Sequence, residues 1–508
     1  MIWVLLVFLF LPIDAWGASE TLYVRPTAAC ANNGDGTAYG CAASGGAPGA
    51  WRGFASLLFS GTDETAGRID PGDYVYVCGT FLAADVQQAG TMLNVAAMGV
   101  NTIRITYDGN CTSSGGLSVA TLDGENVTTN GLYTAQRTLF TFQNMVVQNY
   151  TSKGAFLYTN SVSDVPLDKQ IILSNITISS IRGAAAICLD ARGKNITLTG
   201  LVISTCGSDG IWQNGTGFTV RNSQVSGISI DAGNAGDGLQ MSGEVDGALI
   251  EDNTIDMTQV DSKYCGLVQG TTDNGSIIVQ RNTCLRLQTQ TVGSGWRFDE
   301  LTNLTFRANK TIGGQYNVQA NLLAVGNYQI YGNTTQTPSE RCINIGGVGA
   351  GIAAVYNNTC VGAVTWGIMV DNTGGATVTL RNNIVSGGGA LCINKRAANT
   401  ETHNVLYNCT NAVGNSDVPG TADGTDILSN PLLISSTDLR TAATSPARQA
   451  GAWWGNSCTD VRGRPCFPGQ IDIGAYQASS GDQATTRSAA SVRSAASTRN
   501  AASARTAR

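Results

Sequence analysis

Residues 378–383 read VTLRNN, and the same short apolar strand closed by Asn recurs along the chain. FTVRN ends at Asn222, LIEDN at Asn253, IIVQRN at Asn282 and LTFRAN at Asn309. YQIYGN then ends at Asn333, AVYNN at Asn358, VTLRNN at Asn383 and NVLYN at Asn408. The steps between these Asn residues are 31, 29, 27, 24, 25, 25 and 25. A second strand repeats out of phase, opening at Gly210, Gly238, Gly266, Gly295, Asn317, Cys342, Gly367 and Cys392, with steps of 28, 28, 29, 22, 25, 25 and 25. Two markers sharing one drifting period read as a solenoid.

A lap of this length also suits a leucine-rich horseshoe or a helical pair, but no LxxLxLxxN framework and no 3.6-residue apolar period accompany it. Several short strands per lap, separated by Gly and Asn, predict an all-β parallel β-helix. Asn at a fixed turn position fits, because Asn tolerates the left-handed conformation and identical amides can stack as a hydrogen-bonded ladder.

The composition agrees. Only 13% of residues are charged, 62 are Gly, and Val, Ile, Thr and Asn outweigh the helix formers. The net charge is −6, and the last 30 residues carry five Arg and one Asp, so that tail is +4 and the rest is −10. An acidic body argues against a nucleic-acid partner, whose phosphates need cationic contacts. Residues 1–13, MIWVLLVFLFLPI, are too short an apolar run to span a bilayer comfortably, and the small residues of DAWGAS follow. An export signal at 1–17 is expected, leaving no membrane span after cleavage and a secreted or cell-surface protein. No Lys or Arg precedes the run, so an uncleaved anchor is the alternative.

Fourteen cysteines without any CxxC point to disulfides rather than zinc. Cys188/Cys206, Cys265/Cys284, Cys342/Cys360 and Cys392/Cys409 are 18, 19, 18 and 17 residues apart, as if one geometric relation were used four times. Cys30/Cys41, Cys78/Cys111 and Cys458/Cys466 complete seven candidate pairs. The expected organisation is a cap and first coils at 18–130, coils at 131–410, a closing segment at 411–477 and a disordered tail at 478–508. The tail repeats Arg every six residues, at 487, 493, 499 and 505, with no apolar period. GAWRGFASLLF (49–59) places Trp51, Phe54, Leu57 and Leu58 at helical spacing and predicts a helical cap. Trp453 and Trp454 suit a C-terminal plug, with sugar stacking as the alternative.

Side chains alternate along a strand, so the repeat splits into columns. Ile211, Leu239, Leu267 and Trp296 are assigned inward. Trp212, Gln240, Val268 and Arg297 face outward, with Asn214, Ser242, Gly270 and Asp299 two residues on. Just before the strand sit Asp209, Asp237, Cys265, Ser294, Tyr316 and Arg341. Coils stack about 4.8 Å apart, which would bring Asp209 and Asp237 to adjacent rungs. Two carboxylates about 5 Å apart repel by roughly 1 kcal/mol in water and 3–4 kcal/mol at an effective dielectric near 20. A bridging cation, a shared proton or local backbone N–H groups would relieve that; Asp-Gly is also an ordinary turn dipeptide.

The coils resemble those of secreted right-handed parallel β-helix proteins, the pectate-lyase-like superfamily. TLYVRPTAACANNGDG (21–36) with PGDYVYVCGTF (71–81) is similar to the first coil of such chains. SNPLLI (429–434), SPARQAG (445–451) and DVRGRPCFPGQIDIGAYQ (460–477) are similar to the closing segment of bacterial members, with Gln477 where an acid is usual. The resemblance covers about residues 20–477 and implies the fold far more sharply than the chemistry, since this scaffold hosts lyases, hydrolases, epimerases, tailspikes and adhesins. In related lyases a basic side chain abstracts the proton beside a carboxylate that Ca²⁺ neutralises. The resemblance therefore implies Arg297 as base, with Lys263 or Tyr264 next. Asp209 and Asp237 become the metal ligands, and Trp212, Gln240, Asp299 and Arg341 the contacts to a polysaccharide or cell-surface glycan.

Other chemistries lose ground. The sole His, His403, lies on another face, no Asp-Asp pair with a nearby His supports the polygalacturonase constellation, and the local motifs of true pectate lyases are absent. Two readings stand: a polysaccharide-binding protein that cleaves by metal-assisted β-elimination, or a non-catalytic adhesive protein or phage-type receptor-binding spike.

Overall fold

The computed structural model describes residues 19–477 apart from 58, 60–67, 89, 96–102, 112–117, 160–170, 184, 230–235, 259–263, 271–275, 288–292, 348, 350, 373–374, 397–398, 416–417, 454–459, 463 and 465–470. The expected leader at 1–17, Leu58, Lys263, Trp454, the Cys458/Cys466 pair and the tail at 478–508 lie outside the described residues. Nearly every described element is a short strand, paired in parallel with a strand about one lap away. The chain is a parallel β-helix. It divides into two compact units, residues 1–219 with 229–234, and residues 220–228 with 235–508.

Three parallel ladders build the first unit. On the first face Lys153–Tyr158 pairs with Ile187–Arg192, which pairs with Ile211–Asn214. The long strand Ile171–Ile181 turns a corner, pairing with Ile196–Thr199 on the second face and with Val202–Cys206 on the third. Leu157, Leu189, Ala191 and Ile211 point inward and are wholly buried. The expected helical cap is not a helix. Trp51–Arg52 is a strand beside Thr21–Arg25, followed by a short 3-10 turn at Phe54–Ser56. Gly53 between them has φ of +71°, a left-handed residue that an α-helix cannot carry. Trp51, Phe54 and Leu57 are nevertheless buried, with Phe54 stacked 4.4 Å from Phe81.

In the second unit the first face runs through Leu239–Gly243, Gly266–Gly270 and the strands starting at Ser294, Tyr316, Arg341, Trp366 and Leu391. The inward column assigned from sequence slips by one residue in a single lap. Gly266, not Leu267, pairs with Leu239 and Trp296, and Val268 is the buried side chain. Trp296 explains the slip: a Cβ on Gly266 would lie 2.3 Å from its ring, so the indole fills the space that glycine leaves. Leu267 and Gln269 thus face outward, where Val268 and Gly270 were expected.

The Asn repeat builds the buried corner between the second and third faces. Nδ2 of Asn253 donates to Oδ1 of Asn282 (2.9 Å), and the relation repeats through Asn309, Asn333, Asn358, Asn383 and Asn404 at 2.9–3.2 Å. Each Oδ1 also accepts the preceding ladder Asn backbone N–H, and each Nδ2 also donates to a backbone carbonyl. The left-handed residue is the one before: Asp252, Arg281, Ala308, Gly332, Asn357, Asn382 and His403 all have φ of 53–64°. Asn is therefore selected here for an amide that donates and accepts at once, not for its backbone freedom. Asn222 and Asn408, counted in the sequence repeat, are left-handed residues outside this ladder, and Asn404 takes the rung assigned to Asn408.

Six disulfides join Cys30–Cys41, Cys78–Cys111, Cys188–Cys206, Cys265–Cys284, Cys342–Cys360 and Cys392–Cys409. The four evenly spaced pairs each tie a cysteine in or just before a first-face strand to one in or just after the third-face strand of the same lap. Closing loops of 17–19 residues, each is worth about 3 kcal/mol on the chain-entropy argument. The closing segment docks on the last coils: Ile473 and Ala447 pack with Ile384 and Val405, and the Gly474 N–H donates to the Asn382 carbonyl. Gln477 exchanges two 2.8 Å bonds with the Asp472 backbone. Trp453 is exposed rather than packed as a plug.

Candidate functional site

On the first face of the second unit, one outward column runs Gln240, Leu267, Arg297, Gln319 and Asn344. The column two residues on runs Ser242, Gln269, Asp299, Asn321 and Gly346. Arg297 and Asp299 share a strand at i and i+2, so alternation puts both side chains outward. Arg297 Nε lies 2.7 Å from Asp299 Oδ2, and Arg297 Nη1 donates to Tyr264 Oη at 2.8 Å. The guanidinium is also 5.6 Å from the Tyr264 ring centroid. Asp299 is nearly buried and accepts a further bond from Asn321 Nδ2. Burial alone would lower the Arg297 pKa, yet Tyr264 and Asp299 together push it above the ordinary arginine value. Arg297 is thus held charged.

Farther along the ladder Tyr316, Arg341 and Trp366 pair in register. The Arg341 guanidinium sits between the two rings, 5.0 Å from Tyr316 and 4.4 Å from Trp366, and Nη1 donates to Asn344 Oδ1 at 2.8 Å. Such stacking holds a cation flat against aromatic surface. The second unit thus brings together Tyr264, Arg297 and Asp299, places Gln240 in the same outward column as Arg297, and puts Arg341 in a separate aromatic stack.

The two Asp-Gly carboxylates are placed differently from each other. Asp237 belongs to the second unit, is almost wholly buried, and accepts the Tyr264 backbone N–H at 3.0 Å. It also faces the buried Arg286, whose pKa burial pushes down to about 10 against the opposing pull of Asp237 and Tyr264. Asp209 belongs to the first unit, where it is buried beside the Ser208 hydroxyl. Ca²⁺ takes six to eight oxygens. Among the described residues no group of three or more acidic, His or Cys side chains converges, and Asp237 already has a backbone donor and a cation. Among the described residues the donors around Asp237 do not make up such a set.

A cluster in the first unit escaped the sequence reading. Tyr133, Phe156, Asp190 and Trp212 occupy one outward column on successive rungs, and Tyr158, Arg192 and Asn214 the next. Asp190 has no exposed side-chain surface. It binds Lys153 Nζ and takes Arg192 side-on, Nε to Oδ1 and Nη2 to Oδ2, both at 2.9 Å. Lys153 Nζ lies 3.8 Å over the Phe156 ring, and the Arg192 guanidinium 5.1 Å from Phe156 and 4.8 Å from Trp212. Tyr133 stacks on Phe156 at 5.2 Å. The visible signal was LDAR (189–192), an acid and a base at i and i+2. The Asn marker that aligned later laps does not extend into these, so Trp212 was read without its neighbours.

No protein-family model matches the chain, and a search of curated protein sequences finds no relative. Solved structures do resemble it in outline. The catalytic unit of a family 87 α-1,3-glucanase from Streptomyces thermodiastaticus is 13% identical over 71% of this chain and 64% of its own, with a TM-score of 0.40. A pectate lyase, Pel9A, is 11% identical over 91% and 97%, with a TM-score of 0.36. A mannuronic-acid-specific family 6 polysaccharide lyase from human gut microbiota is 12% identical over 68% and 77%, with a TM-score of 0.38. The fold is a parallel β-helix. At such identities the likeness extends to the fold alone.

Proposed function

We propose that the protein is exported, binds an extracellular polysaccharide along the outward first face of its coils, and cleaves it by β-elimination at Tyr264 and Arg297. The supporting observation is the 2.8 Å bond from Arg297 to Tyr264 Oη, on a face lined by aromatic, amide and charged side chains. Tyr264, as phenolate, takes the proton from the carbon beside a uronate carboxyl group. A carbon–carbon double bond forms as the glycosidic C–O bond breaks, the leaving oxygen takes the proton now on Tyr264 Oη, and Arg297 stabilises the negative charge that builds on the carboxyl group. Asp299 and Asn321 hold Arg297 in place. Gln240 and Arg341 contribute sugar contacts in the second unit and Trp212 does so separately in the first, and Lys263 is the second candidate for proton transfer. No step is routed through a metal. Six disulfides support an oxidising, extracellular setting.

The test is ultraviolet absorbance of unsaturated products on a panel of uronate polysaccharides, with and without chelator. Product that survives chelation and disappears in Tyr264→Phe is the expected result. Glycan binding without product on any polymer would replace this reading with a non-catalytic adhesive protein or phage-type receptor-binding spike.

A further inference from the structure

We propose that Arg192 and Lys153, clamped by Asp190 between Phe156 and Trp212, form a binding subsite for a sugar carboxylate in the first unit. The proposal shares the polysaccharide-binding reading but not the chemistry at Tyr264. A guanidinium has two edges that can each grip a planar anion through two parallel N–H bonds. Asp190 occupies the Nε/Nη2 edge at 2.9 and 2.9 Å. No protein acceptor among the described residues takes the Nη1 end, and 43% of the Arg192 side-chain surface is open to solvent. The guanidinium cannot swing away, because Asp190 is fully buried beneath it and the Phe156 and Trp212 rings lie within about 5 Å of it.

The charge count favours an anion. Lys153 and Arg192 share one carboxylate, so the cluster keeps a net +1 on a chain whose body is −10. A carboxylate fits better than a sulfate ester, since two coplanar oxygens match the fork, whereas tetrahedral oxygens engage it less evenly. Tyr133, Phe156 and Trp212 supply apolar edges for the sugar ring attached to that carboxylate. Because Asp190 fixes the cations beforehand, little ordering is left to oppose binding.

The experiment is calorimetric titration of the full chain with three oligosaccharides of equal length: an oligogalacturonate, its carboxyl-reduced neutral counterpart, and a sulfated chain lacking carboxylates. Wild type is expected to bind the oligogalacturonate at least tenfold more tightly than either other chain. Arg192→Gln should lose that preference, and Arg192→Lys, which keeps the charge without the fork, should lose most of it. Equal binding of the reduced chain, tighter binding of the sulfated chain, or full affinity in Arg192→Lys would each overturn the assignment. Circular dichroism melts of both variants guard against misfolding, and Lys153→Gln gives a second, independent loss. Tyr264→Phe should abolish unsaturated product while leaving this affinity unchanged, so failure of the cleavage reading and failure of the subsite are told apart.

Discussion

Asp190-Ala-Arg192 and Arg297-Phe-Asp299 are the same device written in opposite orders. In each, an acid and an arginine at i and i+2 point outward from a coil strand, the acid is nearly or wholly buried, and the arginine is about one-third to two-fifths exposed. What surrounds them differs. Asp190 holds two cations, and its arginine keeps one edge free. Asp299 holds one, and Arg297 spends Nη1 on a tyrosine hydroxyl. An arginine with a free, fixed edge suits binding, whereas one bonded to a phenol oxygen suits assistance to proton transfer. The pair alone does not separate these roles; the third partner does.

The largest expected effect breaks this comparison at its acids. Asp190→Ala should cost about 3–5 kcal/mol in urea unfolding, because two adjacent cations lose a desolvated partner. Asp299→Ala should cost only about 1 kcal/mol, since a single cation loses its partner and Arg297 keeps Tyr264. Equal costs would show that the two clusters are the same after all. Next, Tyr264→Phe should lower product formation at least about 100-fold while polysaccharide affinity stays within about twofold. A proportional loss of both would make Tyr264 a sugar contact.

A half-buried acid without an arginine sharpens the contrast. Asp426 ends the Asn ladder, accepting the Asn404 backbone N–H at 2.7 Å and Asn404 Nδ2 at 3.2 Å. Burial, with Glu401 nearby, raises its pKa from 3.8 to about 6. The folded state therefore holds the proton more tightly than the unfolded chain does. The stabilisation is complete below about pH 4 and is lost as pH rises through 6. Asp426→Asn, a further rung for the ladder, should remove this dependence and raise stability at pH 7 by about 1 kcal/mol. Melting curves from pH 4 to 8 that fall equally in wild type and variant would refute that account.

Much of the fold was legible because stacking repeats a residue type at a fixed address. The recurring Asn and the 17–19-residue cysteine intervals marked the laps, since each lap returns the chain to the same corner. Legibility failed where one residue was traded against a neighbour's volume. Gly266 reads like any other strand-opening glycine, and only the Trp296 ring beside it explains why Leu267 turns outward. Asn222 and Asn408 failed for another reason: one-letter identity does not tell a left-handed turn residue from a ladder amide. Within the site, Arg297, Asp299 and Tyr264 were found because they lie in laps the marker aligned, and Lys153, Asp190 and Arg192 were missed because theirs do not.

By itself, then, the sequence determined the lap length and the inward and outward alternation and offered as candidates the six cysteine pairs that form, all properties of a chain that meets itself at regular intervals. Tertiary structure decided which charges face one another. Asp237 meets Arg286, and Asp190 meets Lys153 from the neighbouring rung beside Arg192 on its own strand. Coulomb energy depends on distances of a few ångströms between side chains on different laps, and a one-residue drift in register, as at Gly266, is enough to exchange one partner for another.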